Sequence, residues 1–279
     1  MISLVPAVDP LAQRLRRWFG DERGHAMTRQ LNIRRQRLVW VLSRRRPDLV
    51  RRLIRWTNVR SLPEGYPVDV HFNPPYAPWD QRLCAVPGGD LFRAIRNRKA
   101  SVVTDRIRTF TETGIELESG VVIEADIIVT ATGLSLLPLG GVAMTVDDRP
   151  VKLTETVAFK GMMLSGVPNF ALAIGYTASS WTLKVGLLCE HFCRILGYME
   201  KHRLDVCMPV ADPAMPTRPL LDFGAGYVRR AMDILPRQGD RFPWTMGWNY
   251  FADMKILRDG AIEDPHLRFT TASAATPAP

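Results

Sequence analysis

An α/β fold is what this sequence predicts, and three features carry that expectation. Residues Ala125-Asp126-Ile127-Ile128-Val129-Thr130-Ala131-Thr132-Gly133 hold an Ile/Val run closed by a small-residue turn. That is the pattern of a strand buried on both faces in a parallel sheet. A second run, Phe170-Ala171-Leu172-Ala173-Ile174-Gly175, ends in glycine and leads into an apolar-periodic helix from about Trp181 to Lys201. Residues 10–60 are helical in periodicity and rich in arginine.

Taken in order, Leu11, Leu15, Trp18 and Phe19 recur at helical spacing, as do Leu31, Leu38, Leu42, Leu49, Leu53 and Trp56. Gly20 and Gly24 are expected to break the first helix, and Pro47 to open the next. Residues 1–60 hold fifteen Arg against Asp9, Asp21, Glu22 and Asp48, a balance of +11, whereas the rest of the chain is slightly acidic. The arginines are expected on the face opposite the apolar residues. That face reads first as solvated, with contact to an anionic membrane surface as the alternative. No helix-turn-helix, zinc or RNA-binding signature accompanies the charge, so nucleic acid is not an expected partner.

Residues 57–90 are rich in Pro and Gly and read as loop, and Asp90 reads as the cap of a short helix at 90–95. Residues 101–104 read as a strand. Ile107 to Phe110, Gly114 to Leu117 and Val121 to Ile123 read as a β-meander with turns near Thr113 and Ser119-Gly120. The strand at 126–131 follows, and its closing Ala131-Thr132-Gly133 lets backbone pass close to another group, because neither Ala nor Gly fills space there. Ser179 or Ser180 is expected to cap the helix at 181–201, and the tail 271–279 reads as disordered.

With 279 residues and 46% apolar content the chain has ample material for a core. No apolar run approaches the ~20 residues of a membrane span. The first residues lack the basic start and apolar middle of a secretion signal, so a cytoplasmic protein is expected. Cys84, Cys189, Cys193 and Cys207 form no disulfide or metal framework, and no metal is expected. Cys189 and Cys193 share a helix face, but two ligands alone make ordinary cysteines the better reading. The chain contains no Gly-x-Gly-x-x-Gly. Gly224-Ala225-Gly226-Tyr227-Val228-Arg229 lacks the third glycine and follows no expected strand, so it is a poor phosphate loop.

Three segments in order carry a family resemblance: Pro78-Trp79-Asp80-Gln81-Arg82-Leu83-Cys84, the Asp126–Gly133 run, and Gly161-Met162-Met163-Leu164-Ser165-Gly166-Val167-Pro168-Asn169-Phe170. The last continues through Gly175-Tyr176-Thr177 to Ser180-Trp181-Thr182-Leu183-Lys184. Together they resemble the C-terminal part of class B flavoprotein monooxygenases of the Baeyer–Villiger type, nearest the ethionamide-activating group. The resemblance covers about residues 2–269. It implies an incomplete flavoprotein fold of two dinucleotide-binding domains, of the glutathione-reductase kind, with a helical insertion. Residues 1–75 would be the insertion, 76–133 the last strands of an NADPH-binding domain, and 134–270 the C-terminal part of an FAD-binding domain. The family's two glycine motifs and its Phe-x-Gly-x-x-x-His-x-x-x-Trp fingerprint do not occur here.

The reaction implied is insertion of one oxygen atom from O₂ into a ketone or sulfur-containing small molecule, through a C4a-peroxyflavin, with FAD and NADPH as cofactors. Arg82 resembles the family's active-site arginine, since a peroxyanion needs a fixed cation that donates several hydrogen bonds. Its alternative is a loop arginine paired with Asp80 or Asp90. Gln81 stands where many relatives carry a Lys facing the NADPH 2′-phosphate, which leaves NADPH over NADH open. Thr132 and Gly133 are candidate cofactor contacts. Ser180, Trp181 and Leu183 resemble the turn that the family sets against the flavin ring, where helix N-terminal amides favour negative charge. Trp244 resembles a tryptophan that reaches the nicotinamide ribose, with Trp248 as the alternative. Without the phosphate loops, the chain alone is expected to be inactive. Two further readings stand beside this one: the C-terminal subunit of a split enzyme with a separate N-terminal half, and a non-enzymatic protein that uses its Arg-rich helices at a membrane surface.

Overall fold

In the computed structural model, which describes residues 1–81, 83–176, 179–221, 224–247 and 249–272, helices fill most of the first sixty residues. The chain divides into two compact units, Met1–Gly133 and Leu134–Pro279.

The first unit opens with β1 (Ile2–Val5) and α1 (Pro10–Arg45). Asp9 caps α1 by accepting the amides of Leu11 at 3.0 Å and Ala12 at 3.3 Å, and Pro10 occupies the first helical position, where no donor is needed. Gly20 adopts φ 76°, ψ 172° and splits α1 into two arms. The arms fold back on each other: Asn32 Nδ2 donates to Asp9 Oδ2 at 3.1 Å across the pair. Gly24, expected to be a second break, stays helical. A Cβ there would lie 2.6 Å from the Arg16 Cα, so the glycine serves close approach of the arms and not chain reversal.

Pro47 begins α2 (Pro47–Ser61), as the sequence predicts. Its Val50, Ile54 and Asn58, spaced four apart, are its buried face. Val50 and Ile54 pack with Met1, Tyr76 and Leu83. Arg51 donates to Asn73 Oδ1 and to the carbonyls of Pro74 and Tyr76, which fixes the proline-rich segment to α2. After α3 (Val68–His71), β2 (Cys84–Pro87) pairs in parallel with β1, Ile2 opposite Cys84. This pairing inside a segment read as loop is invisible to periodicity, because β2 is short and ends in proline. Next comes α4 (Asp90–Arg96), whose N-cap is Gly89 in the left-handed region. Asp90 is therefore the first helical residue and not the cap, and it pairs with Arg93. The expected meander forms as β3 (Ile107–Phe110), β4 (Gly114–Leu117) and β5 (Val122–Glu124), antiparallel with β4 central.

The second unit holds the hairpin β6 (Thr145–Val146) and β7 (Arg149–Pro150), then the hairpin β8 (Ala158–Phe159) and β9 (Met163–Leu164). Its main helix is α5 (Trp181–His202), with Lys184, Leu187, Leu188, His191 and Ile195 buried along one stripe. The remaining elements are β10 (Val206–Pro209), β11 (Thr217–Pro219), α6 (Gly226–Arg230), β12 (Arg237–Gly239), α7 (Tyr250–Met254) and β13 (Leu267–Thr270). Strands β10 and β13 pair antiparallel, as do β11 and β12. Arg194 on α5 donates to the carbonyls of Leu257, Arg258 and Gly260, satisfying acceptors in the turn that follows α7.

The helix and strand content fits the α/β expectation, but the parallel sheet does not assemble. Among the described residues the strands form six small sheets, and β1 with β2 is the parallel pair of named strands. Residues 126–131, expected as a buried strand, have no ladder partner, and Ile127 and Val129 are 84% and 83% exposed. Residues 170–175 are likewise unpaired as a strand, although the Leu172 amide donates to the Met162 carbonyl at 2.7 Å. Residues 101–104 are also irregular. A strand needs backbone partners along its edges, and among the described residues none of these three runs joins a sheet. Nor do the apolar residues of α1 and α2 all face inward. Trp18, Leu38, Leu53 and Trp56 are exposed alongside the arginines, so the expected division into an apolar and a basic face is not kept. No helix among the described residues is long and apolar enough to cross a membrane. Of the tail, the Ala272 amide is held by Asp205 Oδ2 at 2.9 Å, and residues 273–279 lie outside the described residues.

Candidate functional site

The residues that carry the family resemblance fall in both units, and each unit holds its own part. In the first, Gln81 is exposed at the end of a tight turn in which Trp79 adopts φ 71°. Asp80 closes that turn, accepting from the Ala77 amide at 3.0 Å and from Arg44 Nη1 at 2.9 Å. Trp79 Nε1 is buried without a hydrogen-bond partner. Arg82 lies outside the described residues, as do Thr177 and Trp248. The two carboxylates weighed as its alternative partners each carry another arginine, Arg44 on Asp80 and Arg93 on Asp90. Thr132 and Gly133 are exposed at the end of the unit, and Gly133 adopts φ 125°, a conformation that favours glycine.

In the second unit Ser180, Trp181 and Leu183 come together at the start of α5. Ser180 is the N-cap residue by backbone, but its side chain makes no capping bond. Its Oγ lies 3.0 Å from Thr182 Oγ1. The Leu183 amide donates to the Ser180 carbonyl at 3.2 Å. Trp181 folds back over Gly175, where a Cβ would overlap the indole ring, so this glycine is required by close approach. The result is the start of a 22-residue helix whose positive end has no side-chain acceptor from its N-cap residue. Trp244 is elsewhere in the unit and 1% exposed, packed edge-on against Phe159 and His266.

Behind the α5 turn is a cluster that sequence reading did not single out. Lys184, in the first turns of α5, is 1% exposed. Its Nζ donates to the Gly247 carbonyl at 2.6 Å and lies 3.4 Å from Asp253 Oδ2. Tyr176 Oη donates to the same carboxylate oxygen at 2.6 Å. Burial pulls the Lys184 ammonium below the usual lysine range, partly offset by Asp253, while burial and then the Asp253 hydrogen bond push the Tyr176 phenol up. Gly247 is required here too, since a Cβ would collide with the Asp253 carboxylate. A lysine on the apolar stripe of a helix was the available sequence signal. Farther along α5, His191 is fully buried, with Nδ1 2.7 Å from the Leu257 carbonyl and Nε2 without a partner. Burial lowers its pKa to about 4. Among the described residues no His, Cys, Asp and Glu group could hold a metal ion.

Comparison with known proteins gives the class. The chain is homologous over nearly all its length to FAD-containing monooxygenases and corresponds to their C-terminal part. It is 47% identical over 277 residues to the FAD-containing monooxygenase EthA of Mycobacterium tuberculosis, covering 98% of this chain and 55% of that protein. It is 44% identical over 275 residues to the putative FAD-containing monooxygenase MymA of the same organism, covering 98% and 55%. Against the probable FAD-binding monooxygenase AlmA of Acinetobacter baylyi it is 40% identical over 270 residues, covering 96% and 54%. The chain thus spans about half the length of the curated relatives it matches. No protein-family model matches it.

Proposed function

We propose that this chain is the C-terminal half of an FAD- and NADPH-dependent monooxygenase acting on a ketone or sulfur-containing small molecule, and that it is inactive alone. The full flavoprotein fold of two dinucleotide-binding domains would form only when an N-terminal half is present. The observation that carries the reading is identity of 40–47% across nearly the whole chain to proteins named as FAD-containing or FAD-binding monooxygenases. FAD would supply the activation of O₂. The start of α5 fits its ring: amides at a helix N-terminus favour the negative charge that reduced flavin carries on its carbonyl edge. Its pyrophosphate has no glycine loop here. Gly226 opens a helix of only five residues, and the sequence around it lacks the third glycine.

The chain's own contribution would be Arg82 as the fixed cation at the reacting oxygen, Ser180, Trp181 and Leu183 at the ring, and Gln81, Thr132, Gly133 and Trp244 toward the coenzyme. The separate half would also cover the exposed run at 126–131, whose unpaired backbone and apolar side chains suit strand addition. The visible absorbance of the purified chain tests the first part. No flavin band is expected alone, and co-expression with a fragment bearing both glycine motifs should bring flavin and NADPH oxidation. A stoichiometric flavin in the chain alone refutes the need for a partner, and two fragments that never associate refute the split. In the reassembled enzyme, Arg82→Ala should cut oxygenation about a hundred- to a thousandfold while flavin stays bound. Product formed per NADPH consumed is the measure, and an unchanged ratio and rate would return Arg82 to a structural role.

One observation supports a membrane contact in addition. Leu49, Leu53 and Trp56 form an exposed row on α2, with Arg60 stacked 4.0 Å over Trp56. Arg52, also exposed, lies within roughly 60° of that row around the helix. An anionic bilayer suits that combination.

A further inference from the structure

Four separated stretches of the second unit meet at one buried ammonium group. Lys184 Nζ bonds the Gly247 carbonyl, faces the Asp253 carboxylate, lies 5.3 Å from the Tyr176 ring centroid and would be 3.6 Å from a Cβ at Gly161. Lys184 joins the start of α5 to the segment just after Trp244, and Tyr176 donates to the same Asp253 oxygen that faces the ammonium group. As a source of stability this arrangement is poor. A cation in the first turns of a helix opposes the macrodipole, and burying an ion pair commonly gains nothing over apolar residues of the same volume. What the arrangement does supply is geometry: short, directional bonds that fix two segments against each other.

We infer that Tyr176, Lys184 and Asp253 are positioning residues, a buried latch that sets the start of α5 and the 243–247 segment at one fixed separation. The inference rests on the function proposed above, in which the α5 turn faces the flavin and Trp244 belongs to the coenzyme side. The latch would then hold the two cofactors' contact surfaces in register without itself touching either.

Stability and positioning are separable by experiment. In the full chain, Lys184→Met leaves the Asp253 carboxylate buried without its cation, and should both lower the melting temperature and speed hydrogen exchange of peptides covering 172–184 and 240–247 at least tenfold. Asp253→Asn should do so more mildly. The double variant Lys184→Met/Asp253→Leu removes the buried charges together and leaves only the Tyr176 hydroxyl without its acceptor, so the melting temperature should recover in part while exchange at the two segments stays fast. In enzyme reassembled with a polypeptide bearing the glycine motifs, the double variant should raise KM for NADPH at least tenfold with flavin content unchanged. If the double variant restores slow exchange along with stability, or if the single variants leave exchange unchanged, the latch is ordinary packing and the inference falls. If exchange responds as expected but no reassembly or NADPH oxidation occurs, the latch stands as a device of this fold, and it is the proposed function that fails. If reassembly succeeds and KM is unmoved, positioning of the coenzyme is refuted.

Discussion

Acid should loosen the second unit through a single histidine. His191 is fully buried, and its Nδ1–H donates to the Leu257 carbonyl at 2.7 Å, so Nε2 is the bare, unpartnered nitrogen. Burial is the first cause that lowers its pKa from 6.5 to about 4, with the nearby charges of Lys160 and Arg194 acting in the same direction and the Leu257 bond against them. Above 6.5 the ring is neutral folded and unfolded, and contributes no pH dependence. As pH falls below that value the unfolded chain takes up a proton the folded chain refuses, so stability declines until about 4 and then levels off. At 1.36 kcal/mol per pH unit, the loss across that window is about 3 kcal/mol. Denaturant unfolding of the chain and of His191→Gln, followed from neutral pH to about 4, isolates the contribution of His191. Glutamine keeps a donor for the Leu257 carbonyl but does not titrate. The parent should lose about 3 kcal/mol more than the variant across the window. Parallel curves for the two proteins would show that His191 is solvated or protonated in the folded state, and the packing of α5 around it would be misread.

Asp9→Ala should cost about 1 kcal/mol, because it strips the cap of α1 and the Asn32 bond between its arms, and a denaturation midpoint measures it. Gly175→Ala should cost ~1–3 kcal/mol and displace Trp181, read as a shift in tryptophan fluorescence, since no space exists for the methyl group. Sedimentation with vesicles of phosphatidylglycerol and phosphatidylcholine should capture the chain at low salt and release it at high salt. Leu53→Ser together with Trp56→Ser should weaken that capture, and capture indifferent to both salt and variant would remove the membrane contact.

Much of this protein is decided locally, and the sequence shows it. The break at Gly20, the restart at Pro47, the meander from Ile107 to Glu124 and the helix beginning at Trp181 each follow from the residues on the spot. So does the resemblance, since the segments around Trp79, Ile128 and Leu164 are contiguous in the chain. Where sequence reading misjudged the fold, the missing information lay in a second segment. The run at 126–131 has every local property of a buried strand, yet a strand is defined by its neighbours, and its side chains stand in solvent. The parallel pairing of β1 with β2 joins residues about eighty positions apart, and no periodicity encodes that. The cluster of Tyr176, Lys184 and Asp253 is the clearest case. Each residue looks ordinary alone, and only the packing of α5 against α7 and the Gly247 backbone removes water from all three. A charge acquires its partners and its shifted pKa from that exclusion of water, which belongs to the tertiary structure and to no single stretch of sequence.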